Sequence, residues 1–335
     1  MCSSDLLADT TDITFARTTA IDYLTLIDPT TPKTVMAGGT YTIKVRGFDK
    51  WGSFVGAGAT INWTCTTGTL AAATSLTDAD GYATIVFTPS TVAGTNATIT
   101  ATGSGSVTSS VITTIPNSTI ASCVVTGPST AVAGVPVTYT AQVYDAYGNH
   151  INYHGSTTGV TVTGPMTAVN GTEPTLPTSI TFVNGTGTFQ ITFVKVGTNG
   201  VGVGLTSPSL YCSGPGSVVV SAGILNYYTV TGFGTTQTVG VAFSATVNPF
   251  DAYGNLTVGG TFTLQAVTPT GSGSINGNLL VVGSTAAPTG LATGGSTTVS
   301  NMFYTYPETI RLKAVQGVVV SYPAEIGRAS CRERV

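Results

Sequence analysis

Charge is what this sequence has least of. Lys, Arg, Asp and Glu make up 7% of its 335 residues and leave a net charge of −3, where an ordinary globular domain carries roughly 25% charged residues. A chain that grips nucleic acid needs clustered Lys and Arg to neutralise phosphates, so that class of partner is excluded. Histidine is scarcer still. The two present, His150 and His154, fall in a loop or edge strand with no cysteine or acid cluster to complete a tetrahedral metal site, and they read as surface residues. Long apolar runs are also missing: none approaches the ~18 residues of a membrane-spanning helix, so no span is expected in this piece. No segment of useful length carries an amphipathic helical period. The surface must then be built from Thr, Ser, Gly and Asn, which is soluble but weakly self-repelling and suits arrays, fibres and stalks.

Cysteine becomes sparse once the ends are read. Met1-Cys2-Ser3-Ser4-Asp5-Leu6 matches the translation of a short-read sequencing adapter, and Glu325 to Val335 matches the same adapter chemistry from the other side. Residues 1–6 and 325–335 are therefore set aside as adapter-derived scars, with 7–22 a linker or the end of a preceding domain, and the gene is expected to continue beyond both ends. The scars remove three acids and three bases, so the balance holds at −3, and five cysteines become three: Cys65, Cys123 and Cys212. Spacing leaves two readings open for Cys123 and Cys212, a bridge across the second repeat or two small buried thiols. Cys65 has no evident partner.

What the sequence does have is a repeat. Tyr144-Asp145-Ala146-Tyr147-Gly148-Asn149 returns as Phe250-Asp251-Ala252-Tyr253-Gly254-Asn255, and more loosely as Phe48-Asp49-Lys50-Trp51-Gly52-Ser53. The aspartates are 96 and 106 residues apart, one small domain per repeat. Eleven residues before each stands a glycine, Gly38, Gly134 and Gly240. Between glycine and aspartate runs a strict alternation in one phase: Tyr41, Ile43, Val45; Val137, Tyr139, Ala141, Val143; Phe243, Ala245, Val247. Period two with one apolar face is the pattern of an antiparallel strand wet on one side.

The Asp-x-aromatic-Gly element reads as a turn. Asp49, Asp145 and Asp251 can accept bonds from N–H groups two residues on, and Gly52, Gly148 and Gly254 supply the positive φ that closes a hairpin. Trp51, Tyr147 and Tyr253 would cover the end of their own sandwich, with Asn149 and Asn255 completing the element. The acids sit singly at turns, where solvation leaves them ordinary; as metal ligands they would need several further oxygens. Short apolar strands open each repeat at Tyr23, Cys123 and Tyr227, and further alternating segments close it. Many short strands with frequent turns predict an all-β protein of three tandem immunoglobulin-like β-sandwiches, 23–115, 117–222 and 223–324. The short linkers predict neighbours stacked end to end.

A resemblance enters at Thr77-Asp78-Ala79-Asp80-Gly81-Tyr82-Ala83-Thr84-Ile85-Val86-Phe87-Thr88, running on through Ala93-Gly94-Thr95 to Thr98-Ile99-Thr100-Ala101. This stretch resembles the second half of a bacterial immunoglobulin-like repeat of the invasin/intimin type (Big-1-like), and the glycine, strand and turn resemble its first half. In the later repeats the motif reduces to Asn184-Gly185-Thr186-Gly187 and Gly294-Gly295-Ser296-Thr297. The resemblance implies a cell-surface adhesin whose repeats form a stalk, extracellular placement, and neighbouring domains of the same chain as the first partners.

Catalytic and cofactor signals are missing. Asp78-Ala79-Asp80-Gly81 opens like a calcium loop, but the fifth and twelfth positions hold Tyr82 and Pro89, not an acid or amide and a glutamate. No Gly-x-Ser-x-Gly elbow with a histidine partner occurs, and Gly-Ser-Gly-Ser at Gly103 lacks phosphate-loop spacing. The expectation is a non-enzyme with no metal or cofactor. The alternatives are an accessory module of an exported enzyme, with Tyr147, Tyr153 and Tyr253 stacking on a glycan or meeting a host or surface protein, and a subunit of a surface layer, phage fibre or filament.

Overall fold

The computed structural model describes residues 12–158, 160–206, 209–270, 274–316 and the backbone of 328–330. Among these there is no helix; every regular element is a strand. The chain divides into two compact units. The first gathers the residues up to Ser122 with Val143–His154 and Val183–Gly185; the second gathers Cys123–Gln142, Gly155–Phe182 and the chain from Thr186 onward.

In the first unit, strands Tyr23–Asp28, Tyr41–Phe48, Tyr82–Thr88 and Thr69–Leu70 form one sheet in that order. Ser106–Thr108, Ile99–Thr102, Thr60–Cys65 and Thr74–Leu76 form another. The alternation seen in sequence is the packing rule here. Ile43, Val45, Ile85 and Phe87 of one sheet meet Ile61, Trp63, Ile99 and Ala101 of the other in a single buried cluster, and each such large side chain contributes roughly 1.5–3 kcal/mol on leaving water. The intervening residues line the outer face. There the Lys44 ammonium lies 3.9 Å from the Tyr82 ring centre and the Arg46 guanidinium 4.4 Å from it. The core indole of Trp63 donates to the Ser75 hydroxyl at 2.8 Å, satisfying its one polar atom.

A small third sheet pairs Lys33–Met36 in parallel with Ile112–Ile115, tying the start of the repeat to its end. The second unit repeats this device, with Thr130–Val132 parallel to Val218–Ser221. Strands Val218–Ser221, Gly197–Thr206, Ser209–Ser213, Ser122–Thr126, Pro136–Tyr144 and Thr186–Thr192 continue that sheet in order. Val160–Thr163 also pairs with Gly197–Thr206, and Gly155–Thr158 with Ser179–Phe182. Two four-stranded sheets follow. Tyr227–Thr231, Phe243–Phe250, Thr297–Tyr304 and Leu279–Val281 face Thr289–Leu291, Thr261–Val267 and Thr309–Val315 across a core of Val230, Val247, Phe262, Leu264, Met302 and Leu312. The fold is all-β, of immunoglobulin-like sandwiches.

One element falls where none was expected. Arg328–Ser330, within the segment set aside as a scar, lies antiparallel to Thr309–Arg311. An edge strand offers unpaired N–H and C=O groups that any extended segment can satisfy, whatever its sequence. Residues 1–6, 325–327 and 331–335 lie outside the described residues.

Cys123 and Cys212 form a disulfide with sulfurs 2.07 Å apart, across a sequence separation of 89. It staples the Ser122–Thr126 strand to Ser209–Ser213, the strand before the closing one. Closing so long a loop stabilises the fold by about 4 kcal/mol, chiefly by restricting the unfolded chain. Replacing both cysteines by Ala should therefore lower the urea midpoint by a corresponding amount. Without reductant, alkylation of the unfolded wild-type chain should leave this pair unlabelled, which mass spectrometry reads directly.

Candidate functional site

The repeated Asp-x-aromatic-Gly turn is the candidate site. Its backbone geometry is the same three times. The Asp49 Oδ1 accepts the N–H groups of Trp51 and Ser53, both at 2.9 Å; Asp145 accepts those of Tyr147 and Asn149; Asp251 accepts those of Tyr253 and Asn255. Gly52, Gly148 and Gly254 sit at φ +81°, +81° and +80°, the left-handed conformation that glycine adopts without strain.

The acids are not solvated, contrary to the sequence expectation: Asp49, Asp145 and Asp251 are 7%, 2% and 1% exposed. A buried carboxylate is tolerated when its lone pairs are filled. The second oxygen shows how they are. Asp145 Oδ2 accepts the Asn117 N–H at 2.9 Å and the Asn149 side-chain amide at 2.9 Å. Asp251 Oδ2 accepts the Gly223 N–H at 2.8 Å and the Asn255 amide at 2.9 Å. Asn117 and Gly223 lie in the short segments leading into their repeats, so the carboxylate binds turn and lead-in together. Burial pushes the Asp145 carboxyl up, but the bonds from Asn149, Asn117 and Tyr147 outweigh it and hold the group below the usual carboxylate range.

The asparagine reaches further. In the first unit, Asn149 donates to the Thr91 carbonyl at 2.8 Å and its Oδ1 accepts the Ala93 N–H at 2.9 Å. In the second, Asn255 donates to the Val194 carbonyl at 2.9 Å and accepts the Val196 N–H at 3.1 Å. Each amide thus clamps the backbone of a loop about 60 residues earlier. The aromatic ring points the same way. Tyr147 lies on Gly38 and Tyr253 on Gly134: a Cβ at Gly38 would overlap the Tyr147 hydroxyl, and one at Gly134 would come within 2.7 Å of the Tyr253 ring. The rings therefore do not cap their own sandwich, as the sequence pattern suggested; each caps the glycine turn of the repeat before. Asn170 adds to the second contact, donating to the Ala252 carbonyl at 3.0 Å.

The first turn is built alike but lacks these partners among the described residues. Trp51 is 74% exposed, with the Lys50 ammonium 4.3 Å from its ring centre, and Ser53 stands where the clamping asparagine would. Sequence reasoning missed Asn117, Gly223 and the loops at Thr91–Ala93 and Val194–Val196, which act through backbone atoms and so leave no residue-type signal. The glycine column, by contrast, was visible as a column.

His150 and His154 are exposed, the former edge-on to Tyr144. Asp78 caps its own hairpin, accepting the N–H groups of Asp80 and Tyr82 at 2.9 Å. Cys65 is a half-buried thiol. No three His, Cys, Asp or Glu side chains gather as a metal site requires, among the described residues.

Two outcomes are expected of the turn. Because the Asp145 carboxyl titrates below its unfolded value, its stabilisation is complete above the ordinary carboxylate range and is lost as pH falls through the folded-state value. Asp145→Asn, which sets an NH2 against the donors on Oδ2, should cost about 1.5–3 kcal/mol at neutral pH and reduce the acid dependence of the urea midpoint. Gly38→Ala should cost at least about 1–2 kcal/mol at φ +77°, plus the clash with the ring. In a double-mutant cycle with Tyr147→Ala, only the clash should disappear.

No protein-family model matches the chain, and no curated protein does. Among solved structures, it is similar to FdeC, described as a broadly conserved Escherichia coli adhesin, at 18% identity and a TM-score of 0.46, over 96% of this chain and 100% of that one. It is similar to invasin, described as a bacterial integrin-binding protein, at 18% and 0.37, over 92% of this chain and 59% of that one. It is also similar to the S-layer protein SbsC, at 18% and 0.27, over 93% of this chain and 40% of that one. Likenesses this distant say nothing about function, which has to be read from the geometry of the turn.

Proposed function

We propose that this chain is a structural spacer: three tandem immunoglobulin-like domains, bounded near 116 and 222, that form part of the stalk of a bacterial-type surface adhesin of the invasin/intimin kind and perform no catalysis. The observation that carries the reading is the repeated joint. Buried aspartate, clamping asparagine and ring-on-glycine contact occur at both Asp145 and Asp251, with equivalent partners each time. A spacer needs adjacent modules held at a defined attitude, and a joint of fixed, directional bonds supplies that where a loose linker would not. The Cys123–Cys212 disulfide supports an oxidising, extracellular compartment. Tyr147 and Tyr253 are engaged in the joint, which weakens the glycan-stacking alternative.

Stretching single molecules tests this reading. The force trace should show separate unfolding steps, each releasing roughly 35 nm for a repeat of ~100 residues. The middle repeat should release far less until reductant opens its disulfide. One undivided transition would overturn the proposal.

A further inference from the structure

Four Asn-Gly pairs occur in this chain: Asn170-Gly171, Asn184-Gly185, Asn199-Gly200 and Asn276-Gly277. Glycine, with no Cβ, lets the asparagine amide carbon approach the following backbone nitrogen. That nitrogen can attack the carbon and close a succinimide ring, provided something takes its proton. The pairs differ in what they offer for this. Gly171 N–H donates to the Ala168 carbonyl at 3.0 Å and Gly185 N–H to the Tyr153 carbonyl at 2.8 Å, and a backbone carbonyl accepts a hydrogen bond but not a proton. Asn199 is 1% exposed and lies in the strand Gly197–Thr206, where Gly200 pairs with Thr163.

Asn276-Gly277 faces a carboxylate instead. The Gly277 N–H donates to Glu308 Oε1 and to the Tyr304 hydroxyl, both at 3.0 Å. The Asn276 side-chain NH2 donates to Glu308 Oε2 at 3.1 Å. One carboxylate therefore holds the attacking nitrogen through one oxygen and the leaving nitrogen through the other. The Asn276 backbone N–H, at 2.7 Å, and the Tyr304 hydroxyl, at 2.5 Å, fix Oε1 further. The Tyr304 bond, joined by those from Asn276 and Gly277 against the opposing push of burial, holds Glu308 below the usual carboxylate range, so it stands ionised at neutral pH. Asn276 itself is exposed, which gives water a way in and ammonia a way out.

We propose that Asn276 is a self-modification site at which Glu308 carries the proton. As the Gly277 nitrogen bonds to the Asn276 Cγ, its proton passes to the carboxylate and the negative charge moves to the amide oxygen. That oxygen then re-forms its double bond, the Cγ–Nδ2 bond breaks, and Glu308 returns the proton to Nδ2, which leaves as ammonia. Water opens the succinimide at either carbonyl, leaving aspartate or isoaspartate at position 276. Either product sets a second carboxylate against Glu308 where a donor stood, so the hold of Glu308 on this loop is lost as the molecule ages. The event happens once per chain and turns over no substrate. It does not rest on the spacer reading, and either can fail alone.

Peptide mapping by mass spectrometry of the folded chain, stored at neutral pH, reads the conversion of amide to acid at every pair in one sample. Asn276 should convert roughly 100-fold faster than Asn170 and Asn184, the lower end of what a positioned base contributes. Hydroxylamine, which cuts a succinimide, should cleave the folded chain between Asn276 and Gly277 before the other pairs. Glu308→Gln keeps the side-chain shape but takes no proton, and Asn276 should lose its advantage in that variant. If the variant does not fold, the wild-type chain in urea replaces it: with the Glu308 contact gone, Asn276, Asn170 and Asn184 should convert alike. An Asn276 that converts no faster than Asn170 and Asn184 in the folded chain, or that keeps its advantage in Glu308→Gln or in urea, would overturn the proposal.

Discussion

A carboxylate buried to 1–2% exposure, as at Asp145 and Asp251, is stable only while every lone pair is matched to a donor. That requirement organises this molecule. Each of the two groups takes two N–H bonds from its own turn, one from the lead-in to its repeat and one from an asparagine. The same asparagine is held from its other side by a loop of the repeat before. Displacing that loop would cost the amide two partners, and turning the lead-in would cost the carboxylate one. A single buried anion therefore couples three segments that are distant in sequence.

The ring and glycine add shape to this electrostatic lock. Positive φ at Gly38 and Gly134 already favours glycine for backbone reasons, and the bare Cα then leaves room for a ring. The two constraints coincide at one residue. An alanine there would meet strain and overlap together, which accounts for the glycines 11 residues before Asp49 and Asp145 without any appeal to catalysis.

The strands and their phase were legible in the sequence because alternation is a property of side chains: Ile43 and Val45, or Ala245 and Val247, announce which face is buried. The turn was legible for a similar reason, since Asp, an aromatic and Gly each supply something no other residue type does as well. The direction in which the turn faces was not. Nothing in Tyr147 distinguishes a ring lying on its own sandwich from one lying on the glycine of the repeat before, and the groups it meets there are largely backbone. Burial of the aspartates was hidden too, because what makes it tolerable is supplied by the Asn117 and Gly223 amides, which any residue but proline could provide.

That dependence on backbone also explains how the joint persists while the repeats diverge. The loop gripped by Asn149 presents Thr91 and Ala93; the one gripped by Asn255 presents Val194 and Val196. The lead-in amides belong to Asn117 and Gly223, and the aspartates are 96 and 106 residues apart. None of these differences touches a carbonyl or an N–H, so sequence can drift at every receiving position except the glycine. Only a change that removes a backbone group reaches the bonds themselves. Pro307 is such a change: it follows by three residues the Tyr304 carbonyl that accepts the Gly240 N–H, as Val196 follows Phe193.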